Sequence, residues 1–392
     1  MRMSKRISLA QAPVPDAIGS LSPRSATANG LKFAQSQRPP IRRTSPRLSR
    51  ATLKLHARFP LVLVASALSP SLHDIPRTMP PPRFTFEDIP DLAGRTALIT
   101  GANTGIGKVC ARELAKKNAH VIIACRSEQK AKEAIEDIRK VTQNGKLEFL
   151  PLDLASLASI QEFVDKYTSL GHPIHILMAN AGVMATPHSL TMDGFEIQFG
   201  TNHIGHFALI TRLMPVVERS APARIVVVSS LAHKFAPPLK GVECDLKKIN
   251  SSRLYIRMMA YGRSKLANLL FASELDRRLR EKGITNVRVN SVHPGTVESD
   301  LTRHLSPLRR FIYDLTAKLF VTTLDTDNGS LTQLYVATSP EIDEKDYHNK
   351  YFIPIAKLYT PSKRARDPEL ARRLWEFSEK LVGGRLVSTS AL

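Results

Sequence analysis

One stretch constrains this chain more than any other. An apolar run from Thr96 to Ile99 reads as a buried strand, and it enters the turn Thr100-Gly101-Ala102-Asn103-Thr104-Gly105-Ile106-Gly107. A helix follows over Lys108 to Lys117, with apolar Val109, Ala111, Leu114 and Ala115 along it. Strand, glycine turn and helix together make a phosphate cradle. The glycines let the backbone turn tightly and let a pyrophosphate approach, while unpaired N–H groups and the helix dipole supply positive potential. The triphosphate-loop pattern G-x-x-x-x-G-K-[ST] fails at two places, with Ala102 where its first glycine belongs and Val109 where its hydroxyl belongs. A tight turn that holds nothing is the alternative this stretch alone leaves open.

The rest of the chain alternates strands with helices. Val121–Cys125, Leu147–Leu152, Ile174–Ala179, Ile225–Ser229 and Val287–Val292 read as strands. Ser127–Val141, a Ser156-capped segment to Leu170, Phe195–Glu218 and Tyr261–Arg280 read as helices. Repeated βα units with apolar strands predict an α/β doubly wound parallel sheet with helices on both faces, Rossmann-like, as a single catalytic domain over 79–392. Ligands of such sheets sit outside the carboxyl ends of the strands, so the chemistry is expected just after each one.

Charge divides the chain. The net charge is +21 over 392 residues, but residues 1–78 hold 13 Lys or Arg against Asp16 and Asp74, which is +11 in one fifth of the length. This Arg-, Ser- and Pro-rich leader is expected to be disordered. It reads as a transit peptide, a basic tail for nucleic acid or anionic lipid, or an inert extension before Met79. The location follows that choice: cytoplasmic, or an organelle. The basic leader is the one feature suggesting nucleic acid, and no nucleic-acid partner is expected. Cys110, Cys125 and Cys244 lie far apart without metal-ligand spacing, which fits a reducing compartment. The longest apolar run, Phe59 to Leu68, is too short to cross a membrane.

Residues after the strands carry the functional signal. Arg126 stands 19 positions past Gly107, where an acid binds the ribose of a non-phosphorylated cofactor. A guanidinium there suits a 2′-phosphate and favours NADP(H) over NAD(H). Asp153 follows the third strand and Asn180-Ala181-Gly182 the fourth. Tyr261-Gly-Arg-Ser-Lys265 places a phenol and an ammonium on one helical face, one turn apart. Free tyrosine has a pKa of about 10, and a neighbouring cation lowers it toward working range. A serine of the pair Ser229-Ser230 ends the fifth strand, and Pro294-Gly295-Thr296-Val297-Glu298-Ser299 follows the sixth. His203 and His206 lack a third ligand and read as helix-face histidines rather than a metal site. No G-x-S-x-G elbow is present, which removes hydrolase chemistry.

In combination these motifs resemble the short-chain dehydrogenase/reductase family over about residues 92 to 382. Cys-Arg-Ser, Val-Ser-Ser-Leu-Ala-His, Ser-Lys-Leu-Ala-Asn and Leu-Trp-Glu-Phe-Ser resemble its retinol dehydrogenase and protochlorophyllide reductase-like branch. The resemblance implies that Gly101, Asn103, Thr104, Gly105, Ile106, Gly107, Arg126, Asp153, Asn180, Ala181, Gly182, Pro294, Gly295, Val297 and Ser299 bind the dinucleotide. Tyr261 and Lys265 share in that binding. It implies Tyr261 as general acid/base, Lys265 as the tuner of its pKa, and Ser230 (Ser229 as the second choice) as oxyanion donor. The Asn202 carbonyl would anchor a water in a proton relay. A departure is Ala179, where an Asn is commoner. The expected reaction is hydride transfer between NADP(H) and an apolar small-molecule carbonyl or alcohol, with a non-catalytic dinucleotide sensor of the same fold as the alternative. Leu231 to Ala260 is expected to border the substrate. Leu301 to Leu319 is expected to form a lid with Leu301, Leu305, Leu308, Phe311 and Leu315 facing inward. Arg303, Arg309, Arg310 and Lys318 allow an alternative, a peripheral membrane contact. Both monomer and homodimer are compatible with the resemblance.

Overall fold

The strand–glycine–helix stretch folds as its pattern dictates. In the computed structural model of the protein, which describes residues 83–143, 146–237, 242–253, 255–297 and 323–383, the first strand β1 is Thr96–Thr100 and helix α1 is Gly105–Lys116. The expected leader 1–78, Ser299 and the expected lid from Leu301 to Leu319 lie outside the described residues.

After α1 come β2 (His120–Cys125), α2 (Glu128–Arg139), β3 (Leu147–Pro151), α3 (Leu157–Leu170) and β4 (Ile176–Ala179). Then follow α4 (Gly205–Arg219), β5 (Ala223–Val228), α5 (Arg257–Glu281) and β6 (Val287–Val292). The last part adds α6 (Thr326–Thr338), β7 (Tyr351–Ile353), β8 (Lys357–Tyr359) and α7 (Pro368–Leu381). Ser156 caps α3 through its hydroxyl as expected, and Ser127, expected inside its helix, caps α2 in the same way.

The eight strands lie in the order β8-β7-β6-β5-β4-β1-β2-β3. Every neighbouring pair is parallel except β7 and β8, so the doubly wound sheet carries one antiparallel edge strand. Order reverses between β1 and β4, and the crevice of such a sheet opens there. Alternate residues of each strand serve opposite faces. Leu98, Ile122 and Ala124 pack with α3, α4, α5 and α7. Ala97, Ile99 and Ile123 pack with α1, α2 and α6. Each such leucine or isoleucine contributes about 1.5–3 kcal/mol when fully buried, which is why the central strands carry no polar alternation.

On the first face, Trp375 of α7 stacks on Phe271 of α5 at 5.8 Å and meets Phe207 edge-on at 5.0 Å. The Arg278 guanidinium covers its ring at 4.4 Å.

One expected helix is interrupted. The segment expected to run unbroken from Phe195 to Glu218 is a short turn over Ile197–Phe199, a π turn over Gly200–Ile204, and α4. The physical reason lies in its anchors. The buried Glu196 carboxylate accepts from Gln198 N and Phe199 N and sets the start, while the Asn202 side chain is bonded outside the helix. A Cβ on Gly200 would stand 2.5 Å from Thr191 Cγ2, so the turn is pressed against its neighbours. Wide turns of this kind concentrate at functional sites.

Candidate active site

The cradle forms between β1, α1 and the turn after β4. A Cβ on Gly107 would lie 2.5 Å from Asn180 Nδ2 and from Gly101 O, so only glycine fits there. Gly101, at φ 68°, sits against Ala181, to whose Cα and Cβ an added Cβ would be 3.0 Å. Asn103, Thr104, Gly105 and Ile106 complete the loop. The Thr104 side chain makes no capping bond and the first turn of α1 holds no acid, so its N–H groups are left to an anion. This is a surface that fits a pyrophosphate.

Thr100 ties the cradle to the site. Its Oγ1 accepts from Asn180 N and Ala181 N, both at 3.0 Å, and its carbonyl accepts from Asn180 Nδ2 at 2.9 Å. The same hydroxyl lies 2.9 Å from His206 Nε2, and His206 Nδ1 lies 3.0 Å from the Asn202 carbonyl. A carbonyl only accepts, so Nδ1 carries the hydrogen and Thr100 donates to Nε2. Burial pushes the His206 pKa down to about 4, and the ring stays neutral as this pattern requires. His206 is therefore a buried link between β1 and the π turn, a role that its helical position did not signal. His203 is buried too, with Nε2 2.8 Å from Ser378 Oγ of α7.

Asn202 is held on three sides. Its Oδ1 accepts from Val183 N at 2.8 Å, and its Nδ2 donates to Val183 O and to Ser264 Oγ, each at 2.9 Å. Gly182 lies between it and Lys265: a Cβ there would be 3.3 Å from Asn202 Oδ1 and 3.6 Å from Lys265 Nζ. Two expected regions thus meet, the Asn180-Ala181-Gly182 turn and the lysine of α5.

Tyr261 does not open its helix; α5 begins one turn earlier, at Arg257. Tyr261 and Lys265 are both buried, and Lys265 Nζ is 5.7 Å from the Tyr261 ring centroid. Nζ donates to Val228 O at 2.9 Å, and burial pulls its pKa down to about 8. Ser229 and Ser230 separate cleanly. Ser229 Oγ is buried and donates to Lys265 O at 2.7 Å, which commits it to the scaffold. Ser230 is half-buried and accepts from Ala232 N at 3.1 Å, so its hydrogen can still be donated. Tyr261 packs in a small apolar cluster with Met184, Ala185 and Ala232, flanked by Phe235 and Met258. Most of these residues come from the stretch after Ser230.

The segment after β6 closes the far side. Pro294 and Gly295 lead into Thr296–Val297, which pairs with Thr323–Leu324. Val297 reaches Gly329 of α6, where an added Cβ would lie 2.5 Å from Val297 Cγ2 and 3.5 Å from Ile106 Cδ1. Gln333 of α6 donates to Asn180 Oδ1 at 3.0 Å, a support that no motif announced. Arg126, at the end of β2, is exposed and has no carboxylate partner among the described residues. Asp153 is partly committed, because its Oδ1 accepts from Ala155 N at 2.9 Å. Next to this chemistry, His293 Nδ1 and Tyr351 Oη are buried without a protein partner among the described residues, and that burial lowers the His293 pKa to about 3 and raises that of Tyr351.

Comparison with known proteins identifies the family. A family profile described as "short chain dehydrogenase" matches residues 95–242. The Brassica napus protein "Short-chain dehydrogenase TIC 32 A, chloroplastic" is 42% identical over 306 residues, covering 76% of this chain and 92% of the relative. "Retinol dehydrogenase 13" of Homo sapiens is 41% identical over 295 residues, covering 74% and 86%. A crystal structure of an uncharacterized Mycobacterium Paratuberculosis protein is 36% identical, with a TM-score of 0.61, covering 76% of this chain and 97% of that one. The chain belongs to the short-chain dehydrogenase/reductase family, an oxidoreductase family whose members bind a nicotinamide dinucleotide. Within it the likeness runs to the retinol dehydrogenase-like branch.

Proposed function

We propose that the protein interconverts an apolar carbonyl and its alcohol with NADP(H), using Tyr261 as general acid/base. The observation that carries this reading is the buried Lys265 ammonium 5.7 Å from the Tyr261 ring, beside Gly182 and the Asn202 side chain. NADP(H) supplies or accepts the hydride. The chain's own residues do the rest. Tyr261 gives its phenolic proton to the carbonyl oxygen in reduction and takes it back in oxidation. Lys265 stabilises the phenolate and lowers the pKa of the phenol. Ser230 donates its hydroxyl hydrogen to the same oxygen and stabilises the charge that builds there. Asn202, fixed through its side chain, presents its carbonyl to a relay water, and His206 orients that carbonyl.

Several features support the cofactor assignment. The cradle of Gly101, Asn103 to Gly107 and Asn180 to Gly182 fits the dinucleotide phosphates, and Pro294 to Val297 covers its other side. Asp153, with one carboxylate oxygen still uncommitted, would hold the adenine. Arg126, exposed and without a carboxylate partner among the described residues, takes the 2′-phosphate. Apolar residues around Tyr261 favour an apolar substrate. Among the described residues no helix is long and apolar enough to cross a membrane.

Purified protein is assayed for NADPH oxidation on a panel of apolar aldehydes and ketones, beside Tyr261→Phe. Turnover should fall by about 10²–10⁴ in the variant, with NADPH binding retained. Equal turnover in the two proteins, or no turnover on any carbonyl with dinucleotide still bound, overturns the catalytic assignment; the second outcome favours the non-catalytic sensor.

A further inference from the structure

At the end of the sheet opposite the cradle, three side chains converge that the proposed chemistry does not use. His120 opens β2, Glu148 is the second residue of β3, and His172 follows Gly171, whose left-handed φ of 69° ends α3. Glu148 Oε1 lies 2.7 Å from His120 Nε2, and Glu148 Oε2 lies 3.3 Å from His172 Nε2. The three potential ligand atoms all fall within 4.8 Å of one another. The two imidazoles meet edge to face, with centroids 4.7 Å apart.

The backbone holds this arrangement in place. Ile122 pairs with Glu148 across β2 and β3, so the period of two puts His120 and Glu148 on the same sheet face, the one α3 covers. His120 N donates to Arg95 O at 2.9 Å. The His172 ring leans on the buried Tyr167 ring at 6.3 Å, and Tyr167 is fixed by its hydroxyl bond to Pro173 O at 3.0 Å.

We propose that His120, Glu148 and His172 bind one Zn²⁺ ion, with water in the fourth position. Two neutral imidazoles and a carboxylate are a three-ligand set for zinc, whereas magnesium and calcium take oxygen ligands. Zinc bonds of about 2.0–2.2 Å place tetrahedral ligand atoms about 3.3 Å apart. The two contacts go to different oxygens of Glu148, so the carboxylate must rotate to present one oxygen to both imidazoles, and ligand atoms now within 4.8 Å of one another close by at most about 1.5 Å to reach that spacing. The side chains are 16%, 41% and 26% exposed for His120, Glu148 and His172, which leaves a route in and room for the water. A five-residue strand separates this cluster from the cradle, about 16 Å at strand rise. The ion therefore clamps the β2–β3 edge to the turn after α3 and takes no part in hydride transfer.

The full-length protein is titrated calorimetrically with zinc chloride at neutral pH, beside His172→Ala and Glu148→Gln. Wild type should take up one equivalent at low micromolar concentration or below, and each variant should bind at least tenfold more weakly. Cobalt(II) in place of zinc should show intense visible d–d bands in wild type alone. His172 lies in a partly exposed turn with its ring edge against Tyr167; thermal unfolding without metal checks that the variants are folded. No uptake by wild type overturns the proposal, because the cluster is then an imidazole–carboxylate hydrogen-bond network. Equal uptake by wild type and His172→Ala also overturns it, because the ion then sits elsewhere.

Discussion

Thr100 carries more of the site than a side chain of its size suggests. Its hydroxyl accepts two backbone N–H bonds from the turn after β4 and donates to His206, so one oxygen joins the cradle to the π turn. Thr100→Val keeps the shape and removes all three bonds. It should cost about 1–3 kcal/mol for each donor left without a partner, read as a lower urea midpoint, with a raised KM for NADPH. Arg126→Asp tests the 2′-phosphate assignment separately. Losing a charge-assisted bond and gaining a like charge should raise the KM for NADPH about 10–100-fold and move preference toward NADH. Unchanged cofactor preference in steady-state kinetics counts against that role. Gly101, Gly107, Tyr261 and Lys265 were legible in the sequence because backbone conformation or helical spacing dictates their neighbours. His206 and Gln333 were not, since their partners Thr100 and Asn180 lie 106 and 153 positions away. The resemblance favoured Ser230 over Ser229, and the structure adds a bond that the sequence did not reveal, from Ser229 to the Lys265 carbonyl.

Among elements, α5 is fastened to the stretch after Ser230 through Gly262. A Cβ there would lie 2.5 Å from Ala232 O and 2.9 Å from Ala236 N. Gly262→Ala should push the Tyr261 turn away from Ser230, costing about 1–3 kcal/mol by overpacking. Its kcat should fall more than its KM rises, and kinetics with chemical denaturation on one preparation measures both. Long elements with a clear period were readable: β1 to β6, α2 and α3 fall within two residues of their expected bounds, and α1 begins three residues earlier than expected, at Gly105. The break at Gly200–Ile204 was not, because it is set by tertiary anchors, the Asn202 side chain on Val183 and Ser264 and Gly200 against Thr191. Strands β7 and β8, of three residues each, are too short to show any period. The place of β7 beside β6, and of β8 beside β7, is set by tertiary pairing.

Among the described residues the molecule buries four histidines that ordinary solvent would protonate near pH 6.5. Burial lowers His203 and His293 to about 3, and His206 and His233 to about 4. A depressed folded-state pKa means that the unfolded chain binds these protons first. Stability is then complete above about pH 6.5 and drains away as pH falls toward 4, by about 1.4 kcal/mol per histidine per pH unit at most. Urea midpoints recorded from pH 7 down to 4.5 should drop steeply, and a flat profile would count against neutral buried rings. The chain has a single tryptophan, Trp375, clasped between Phe271, Phe207 and Arg278 at the seam of α5 and α7. Its emission should start blue in that oily, cation-roofed slot and turn red only when the last helix lets go. The fold thus contains its own optical gauge for undocking of the terminal helix, with no label to attach.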